Sequence, residues 1–179
     1  AKADMVFTDP PYGMDFINKS GVLKSRYKQY EGEQDQKVFW AAWDIIESLD
    51  RPTIIWGGNF FAHKLPQSTY WISWNKRGDN MVAGGPATDQ TDCEIAWTNL
   101  KGRKVKQYQH VWAGWFRAGS KKDELKSKLH PSQKPVSLFE HIFKDHKESE
   151  GTILYLFAGS GSTLIACEKT KRKCYAMEI

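Results

Sequence analysis

Long apolar runs are missing from this chain. Nowhere do about 18 consecutive apolar residues occur, so no segment reads as a membrane-spanning helix. A charged, apolar, small-residue leader is also missing, which predicts a cytoplasmic rather than a secreted protein. Cysteine is scarce: Cys93, Cys167 and Cys174 are odd in number and widely spaced. They make neither a disulfide framework nor a CxxC metal pair, in keeping with a reducing cytosol. The histidines at 63, 110, 130, 141 and 146 show no ligand spacing, so no metal is expected. There is no internal repeat and no low-complexity tract. The chain opens Ala-Lys-Ala and stops at Glu178-Ile179, which reads as a fragment trimmed at both ends. What remains is a globular composition, 40% hydrophobic and 26% charged over 179 residues. That length suits one domain, residues 1–179, able to bury roughly 70% of its unfolded surface without a staple.

The charge is concentrated. Ten basic residues between Thr98 and Lys134 face only Asp123 and Glu124, so that stretch carries +8 and leaves −3 for the rest of a +5 chain. Such a segment suits a polyanion, because neutralising phosphates gives affinity independent of sequence. A solvated loop explains the same charges.

Hydrophobic periodicity divides the chain into alternating elements. Ala3–Thr8 reads as a buried strand running into a Pro-Pro turn, and residues 13–37 as a long polar loop. Apolar residues at 38, 41, 42, 45, 46 and 49 predict a helix over Val38–Leu49. Thr53–Trp56 is a strand stopped by Gly57-Gly58, after which Asn59 is expected to cap a short helix through Leu65. Thr69–Trp74 and Cys93–Thr98 read as two strands. Pro135 opens a helix whose apolar face holds Val136, Leu138, Phe139, Ile142 and Phe143. Thr152–Phe157, Ala158–Ser162, Thr163–Lys169 and Lys173–Met177 follow as strand, turn, helix and strand. Strands alternating with helices predict an α/β layered sheet.

Two turns carry chemistry. In the first, Phe157-Ala158-Gly159-Ser160-Gly161-Ser162-Thr163 places two glycines between a strand and a helix. Glycine lets backbone approach a ligand closely, and the helix start offers unpaired N–H groups. Glu178, at the end of the next strand, is positioned to accept the hydroxyl hydrogens of a ribose. The third glycine of GxGxxG and any Walker lysine are missing, so a P-loop is excluded. In the second, Asp9-Pro10-Pro11-Tyr12 follows a buried strand directly. Two prolines remove two donors and fix the backbone, leaving the Asp9 carboxylate and the Pro10 carbonyl as aimed acceptors beside an aromatic ring. That suits a planar ring bearing an NH₂ group. A structural turn closed by an Asx-type hydrogen bond is the plain alternative.

Taken together, Thr8-Asp9-Pro10-Pro11-Tyr12-Gly13, His130-Pro131-Ser132-Gln133-Lys134-Pro135 and Phe157 to Thr163 resemble the DNA amino-methyltransferases that use S-adenosyl-L-methionine. The order, DPPY before the glycine motif, is that of their β class. The resemblance implies a Rossmann-like methyltransferase sheet, mostly parallel with an antiparallel hairpin strand. It implies methyl transfer to the exocyclic amine of a flipped base in double-stranded DNA. Asp at position 9 is similar to the adenine-N6 enzymes, with cytosine-N4 methylation the alternative. By the same resemblance, Asp9, Pro10, Pro11 and Tyr12 handle the base. Phe157, Gly159, Ser160, Gly161, Thr163 and Glu178 hold the cofactor, with Asp9, His130, Ser132 and Lys134 also among its contacts. From its charge, the stretch 99–134 is expected to be a DNA-contacting basic insert, and Trp74-Asn75-Lys76 resembles the strand end following the second half of the sheet. A homodimer and a cognate restriction nuclease are the further partners it brings, in the cytoplasm of a bacterium or encoded by a phage.

One residue departs from the pattern. Tyr155 stands where the family usually carries an acid that organises the cofactor's charged end. That departure keeps a non-catalytic DNA-binding module in view beside the enzyme. A nicotinamide oxidoreductase would use the glycine turn and Glu178 but would leave Asp9–Tyr12 unexplained.

Overall fold

The computed structural model describes residues 2–12, 36–77, 91–113, 116–117 and 133–178. Its framework is a seven-stranded sheet built from β1 (Met5–Thr8), β2 (Thr53–Trp56), β3 (Tyr70–Asn75), β4 (Cys93–Thr98), β5 (Lys104–Gln109), β8 (Thr152–Leu156) and β9 (Lys173–Met177). The strands lie in the order β5-β3-β4-β2-β1-β8-β9. A separate two-stranded ribbon pairs β6 (Trp112–Ala113) with β7 (Phe116–Arg117). Only β4 runs against its neighbours in the main sheet: it is antiparallel to β2 and β3, and the other pairs are parallel. This is the mostly parallel sheet with one antiparallel hairpin strand that the sequence predicts.

Alternation along β1 decides what each face buries. Met5 and Phe7 point to one side, where α3 (Val136–Asp145) and α4 (Ser162–Lys169) supply Leu138, Phe139, Ile142, Phe143, Ala166 and Cys167. Val6 points to the other, packing with Phe39, Trp43 and Ile46 of α1 (Gln36–Ser48) and Phe61 of α2 (Gly58–Phe61). The result is three layers, helix on sheet on helix, as parallel strands buried on both faces require. Phe7 meets Phe139 and Phe143 edge-on at 5.1 Å each, which locks α3 to the centre of the sheet. Among the described residues no helix is long and apolar enough to cross a membrane.

Two expectations change. The short helix follows Gly57, whose left-handed φ of 67° turns the chain out of β2, and no side chain caps it; Asn59 sits inside the helix. Lys104–Gln109, expected to belong to a basic insert, is instead the edge strand of the sheet, parallel to β3. Its lysines hide the pattern because they lie over aromatic rings, Lys104 on Tyr70 at 4.6 Å and Lys106 on Tyr108 at 5.3 Å. Aliphatic stems pack while ammonium groups stay at the rim.

Candidate active site

From β1 the chain proceeds to β2 on one side, while β8 occupies the other. In open α/β sheets such a reversal of strand order opens a crevice at the carboxyl ends of the strands. Both singled-out turns leave the sheet here. Val6 pairs with Leu154 across the parallel β1 and β8, so Asp9 and Phe157 emerge side by side. The Thr8 hydroxyl donates to the Leu156 carbonyl at 2.7 Å and ties the two strand ends together.

Asp9 is the hub of the first turn. Tyr12 donates its hydroxyl to Asp9 Oδ1 at 2.6 Å, and Lys134, from the segment entering α3, pairs with Oδ2. Lys134 also donates to the Tyr12 oxygen at 3.1 Å and lies 3.4 Å from Glu94 Oε2. Glu94 Oε1 accepts from Lys76 at 2.7 Å. Two carboxylates and two ammonium groups thus balance in a cluster where Lys134 is only 6% exposed. Burial alone would lower the ammonium's pKa, but Asp9 and Glu94 outweigh it and hold Lys134 above its ordinary value. Burial pushes Glu94 up, yet Lys134 and Lys76 bring it below the usual carboxylate range. Burial, then Asp9 and Glu94, raise the Tyr12 phenol well above its ordinary value, so Tyr12 is a neutral donor. The Tyr12 ring stacks on Phe60, centroids 4.9 Å apart and planes 17° apart.

The second turn is an open backbone cradle. Phe157, Gly159 and Gly161 adopt φ of 62°, 49° and 74°. A Cβ added to Gly161 would meet nothing within 4 Å. Space is therefore kept above this backbone. The Gly159 N–H is held by Glu178 Oε2 at 2.5 Å. Tyr155 is buried on the α3 and α4 face; burial first, then Asp9, raises its phenol. It is turned toward Thr163 without forming a hydrogen bond of ordinary geometry.

Among the described residues three buried side-chain polar atoms lack a hydrogen-bond partner: Trp56 Nε1, Glu94 Oε2 and Thr163 Oγ1. Trp56 ends β2, Glu94 lies at the matching end of β4, and Thr163 opens α4. All three belong to the edge where the two turns meet. Glu94 Oε2 still lies within ion-pair range of Lys134.

Asp9, Pro10, Pro11, Tyr12 and Lys134 thus share one cluster, with Phe157, Gly159, Ser160, Gly161, Thr163 and Glu178 on the adjacent turn. Where the sequence leads one to expect free Asp9 oxygens, both are engaged. His130 and Ser132, and the basic residues from 118 to 128, lie outside the described residues. Sequence reasoning missed Glu94 and Phe60. A lone acid in Cys-Glu-Ile-Ala-Trp-Thr, an otherwise uncharged strand, was the available signal for Glu94. A groove of about 630 Å³ lined by Trp43, Glu47, Arg51, Asn99 and Lys101 opens at the opposite edge of the sheet and shares no residue with either turn.

Comparison with known proteins bears on the family and the fold. A family model described as DNA methylase, of the N6/N4 class, matches residues 53–179. Type II methyltransferase M2.LlaDCHI of Lactococcus lactis subsp. cremoris is 24% identical over 215 aligned positions, covering 95% of this chain and 75% of its own. M2.DpnII of Streptococcus pneumoniae is 25% identical with the same coverage. The structure of M1.HpyAVI superposes with a TM-score of 0.54 at 20% identity, over 99% of this chain and 81% of its own. The cytosine-N4-specific PvuII DNA methyltransferase gives 0.55 at 12% identity, over 99% and 75%. The two structures share the fold.

Proposed function

The chain belongs to the DNA methylase family, and on that premise we propose that it methylates the N6 amine of adenine in double-stranded DNA. S-adenosyl-L-methionine, which a structural relative carries in its complex, is the donor in this reading and supplies a methyl group on a sulfonium. The open cradle at Gly159 and Gly161, the unpartnered Thr163 hydroxyl and the Glu178 carboxylate fit such a group. Phe157, Gly159, Ser160, Gly161, Thr163 and Glu178 would hold it. Asp9 and the Pro10 carbonyl take the two amine hydrogens, and drawing them toward oxygen localises the nitrogen lone pair for attack. Tyr12 offers an aromatic edge to the base beside Asp9. Rotating the base out of the duplex costs a few kcal/mol, which these contacts recover. A dry pocket with both partners aligned supplies most of the acceleration, with no covalent intermediate on the chain.

The observation that carries this reading is the junction of the two turns at the ends of β1 and β8, closed by the Thr8 to Leu156 hydrogen bond. Asp at position 9 favours adenine. The type II naming of the relatives extends the reading to a cognate restriction nuclease, and a homodimer is tested by sedimentation. The test of the reaction is incubation with duplex DNA and methyl-labelled donor, followed by digestion to nucleosides. Label in N6-methyladenine is expected. Label in N4-methylcytosine would transfer the proposal to that base, and no labelled nucleoside would overturn it. Tyr155, in place of an acid, favours one second reading, a DNA-binding module without turnover. Calorimetric titration of the donor separates the two, since the module would give no heat.

A further inference from the structure

Asp9 is fully occupied before any substrate arrives: Tyr12 holds one oxygen and Lys134 the other. If Oδ2 is to accept an amine hydrogen, Lys134 must leave it. An ammonium only 6% exposed cannot be released to water at low cost, so it needs a second anionic seat within the cluster. Glu94 provides one. Its Oε1 is fixed by Lys76 at 2.7 Å, whereas Oε2 has no hydrogen-bond partner among the described residues and stands 3.4 Å from Lys134 Nζ. Closing that gap to the ~2.9 Å of a charge-assisted hydrogen bond takes a shift of only about 0.5 Å.

We propose that Glu94 is a positioning residue that receives Lys134 when the target amine engages Asp9, so that the lysine passes between two carboxylates during each turnover. The proposal rests on the methyltransferase reading for its substrate. The groups facing Lys134 are Asp9 and Tyr12 beyond β1, Glu94 on β4, and Tyr155 on β8, with Lys76 beyond β3 behind Glu94. With the lysine seated on Glu94, Asp9 loses its closest positive neighbour and becomes a stronger acceptor. It then holds the amine hydrogen and takes the proton that the methylated nitrogen sheds. As the product leaves, Lys134 returns to Asp9 and that proton passes to water. Net charge in the cluster is the same with the lysine on either seat, which keeps the exchange inexpensive in a buried site.

Two measurements test this. In the first, kcat and KM are compared for the wild-type protein, Glu94→Gln and Glu94→Asp. Glu94→Gln should lower kcat at least ~10-fold with the KM for donor and DNA nearly unchanged. Glu94→Asp, which keeps the charge, should recover much of the activity. Unchanged kcat in Glu94→Gln, a KM that rises as kcat falls, or no recovery in Glu94→Asp overturns the proposal. The second needs no turnover: the Lys134 ammonium resonance of ¹⁵N-lysine-labelled protein is followed as DNA containing an unpaired adenine is added. A shift in the wild-type protein that Glu94→Gln abolishes is expected, and no shift in the wild-type protein overturns the exchange. Absence of any methylated nucleoside from the wild-type protein would sink the reaction instead, leaving the ammonium shift to judge the exchange.

Discussion

The carboxylate of Glu178 and the amide of Gly159 meet at 2.5 Å, linking the end of β9 to the glycine turn. An acid from the next strand thus braces the turn at the point where a ribose would lie. Glu178 is exposed, so this bond contributes little to folding. Glu178→Gln should weaken S-adenosyl-L-methionine binding roughly tenfold, about 1.4 kcal/mol, while the melting temperature hardly changes. Isothermal titration alongside a thermal melt decides it, and undiminished affinity would remove Glu178 from the cofactor set.

Gly57 and Gly161 both have positive φ, 67° and 74°, yet they do different things. A Cβ on Gly57 would lie 2.1 Å from Tyr12 Cε1, whereas one on Gly161 meets nothing. Each alanine costs about 1–2 kcal/mol for the left-handed backbone, but Gly57→Ala must also displace the Tyr12 ring from Phe60. Gly57→Ala should therefore melt well below Gly161→Ala. Gly161→Ala should instead lower donor affinity, its methyl filling the cradle. Equal melting temperatures for the two would show that the Tyr12 contact is not tight.

Asp9→Ala tests the centre of the cluster, but the variant also strips Lys134 of its nearest partner. Glu94 remains 3.4 Å away, so the destabilisation should be partial, about 2 kcal/mol, or ~4–8 °C in melting temperature. Turnover should fall at least ~10²-fold, a barrier increase of ~2.7 kcal/mol. Combining Asp9→Ala with Lys134→Met removes the buried charge, and should restore stability without restoring methylation. A double variant that methylates DNA normally would end the role given to Asp9.

Much of this was legible in the sequence, and the gaps have physical causes. Short β-rich runs stopped by Pro-Pro, by Gly-Gly and by the glycine turn marked β1, β2 and β8 nearly to the residue, because each is followed by residues that break a strand. Lys104–Gln109 was hidden because most of its residues carry charge or an amide, while Val105 is 70% exposed. Pairing with β3 on one side alone leaves most of that edge strand in water. The two motifs announced themselves by composition. Their adjacency did not, because it depends on parallel pairing between strands about 150 positions apart, which local pattern cannot encode. For Glu94 only a lone acid in an uncharged strand was there to read, because its partners Lys76 and Lys134 come from other elements.

Acidification should destabilise the protein in two steps. Burial, with a smaller contribution from His141, holds the His110 ring below its ordinary pKa of ~6.5. The unfolded chain therefore takes up that proton first, and the stability present above ~6.5 declines as pH falls toward the lower folded value. Glu94, held below the carboxylate range by Lys134 and Lys76 against the cost of burial, adds a second decline below pH ~4.3. Melting temperatures between pH 7.5 and 4 should show the first decline and the onset of the second. His110→Gln should flatten the upper part of the curve, and an unchanged slope there would assign the acid sensitivity to other groups.

Lys101 and Arg103 belong to the basic stretch, but the structure sets them at the wrong end of the sheet for the proposed chemistry. They precede β5 at the edge holding the Trp43 and Asn99 groove, while the Asp9 cluster sits at the opposite edge. Six strand residues at ~3.3 Å each separate the two levels by about 20 Å. Lys104 and Lys106 are committed as well, to Tyr70 and Tyr108, and Lys106 also pairs with Asp145 at 2.6 Å. The basic residues from Arg117 to Lys128 are the sequence candidates that remain for phosphate contact. Replacing Lys101 and Arg103 with alanine should leave DNA affinity, and its slope against salt concentration, unchanged. Neutralising the lysines between 121 and 128 should reduce that slope by nearly one for every phosphate left without its cation. Binding measured from 50 to 200 mM salt distinguishes the two, and a shallower slope for the Lys101 and Arg103 variant would bring the far edge into the DNA footprint.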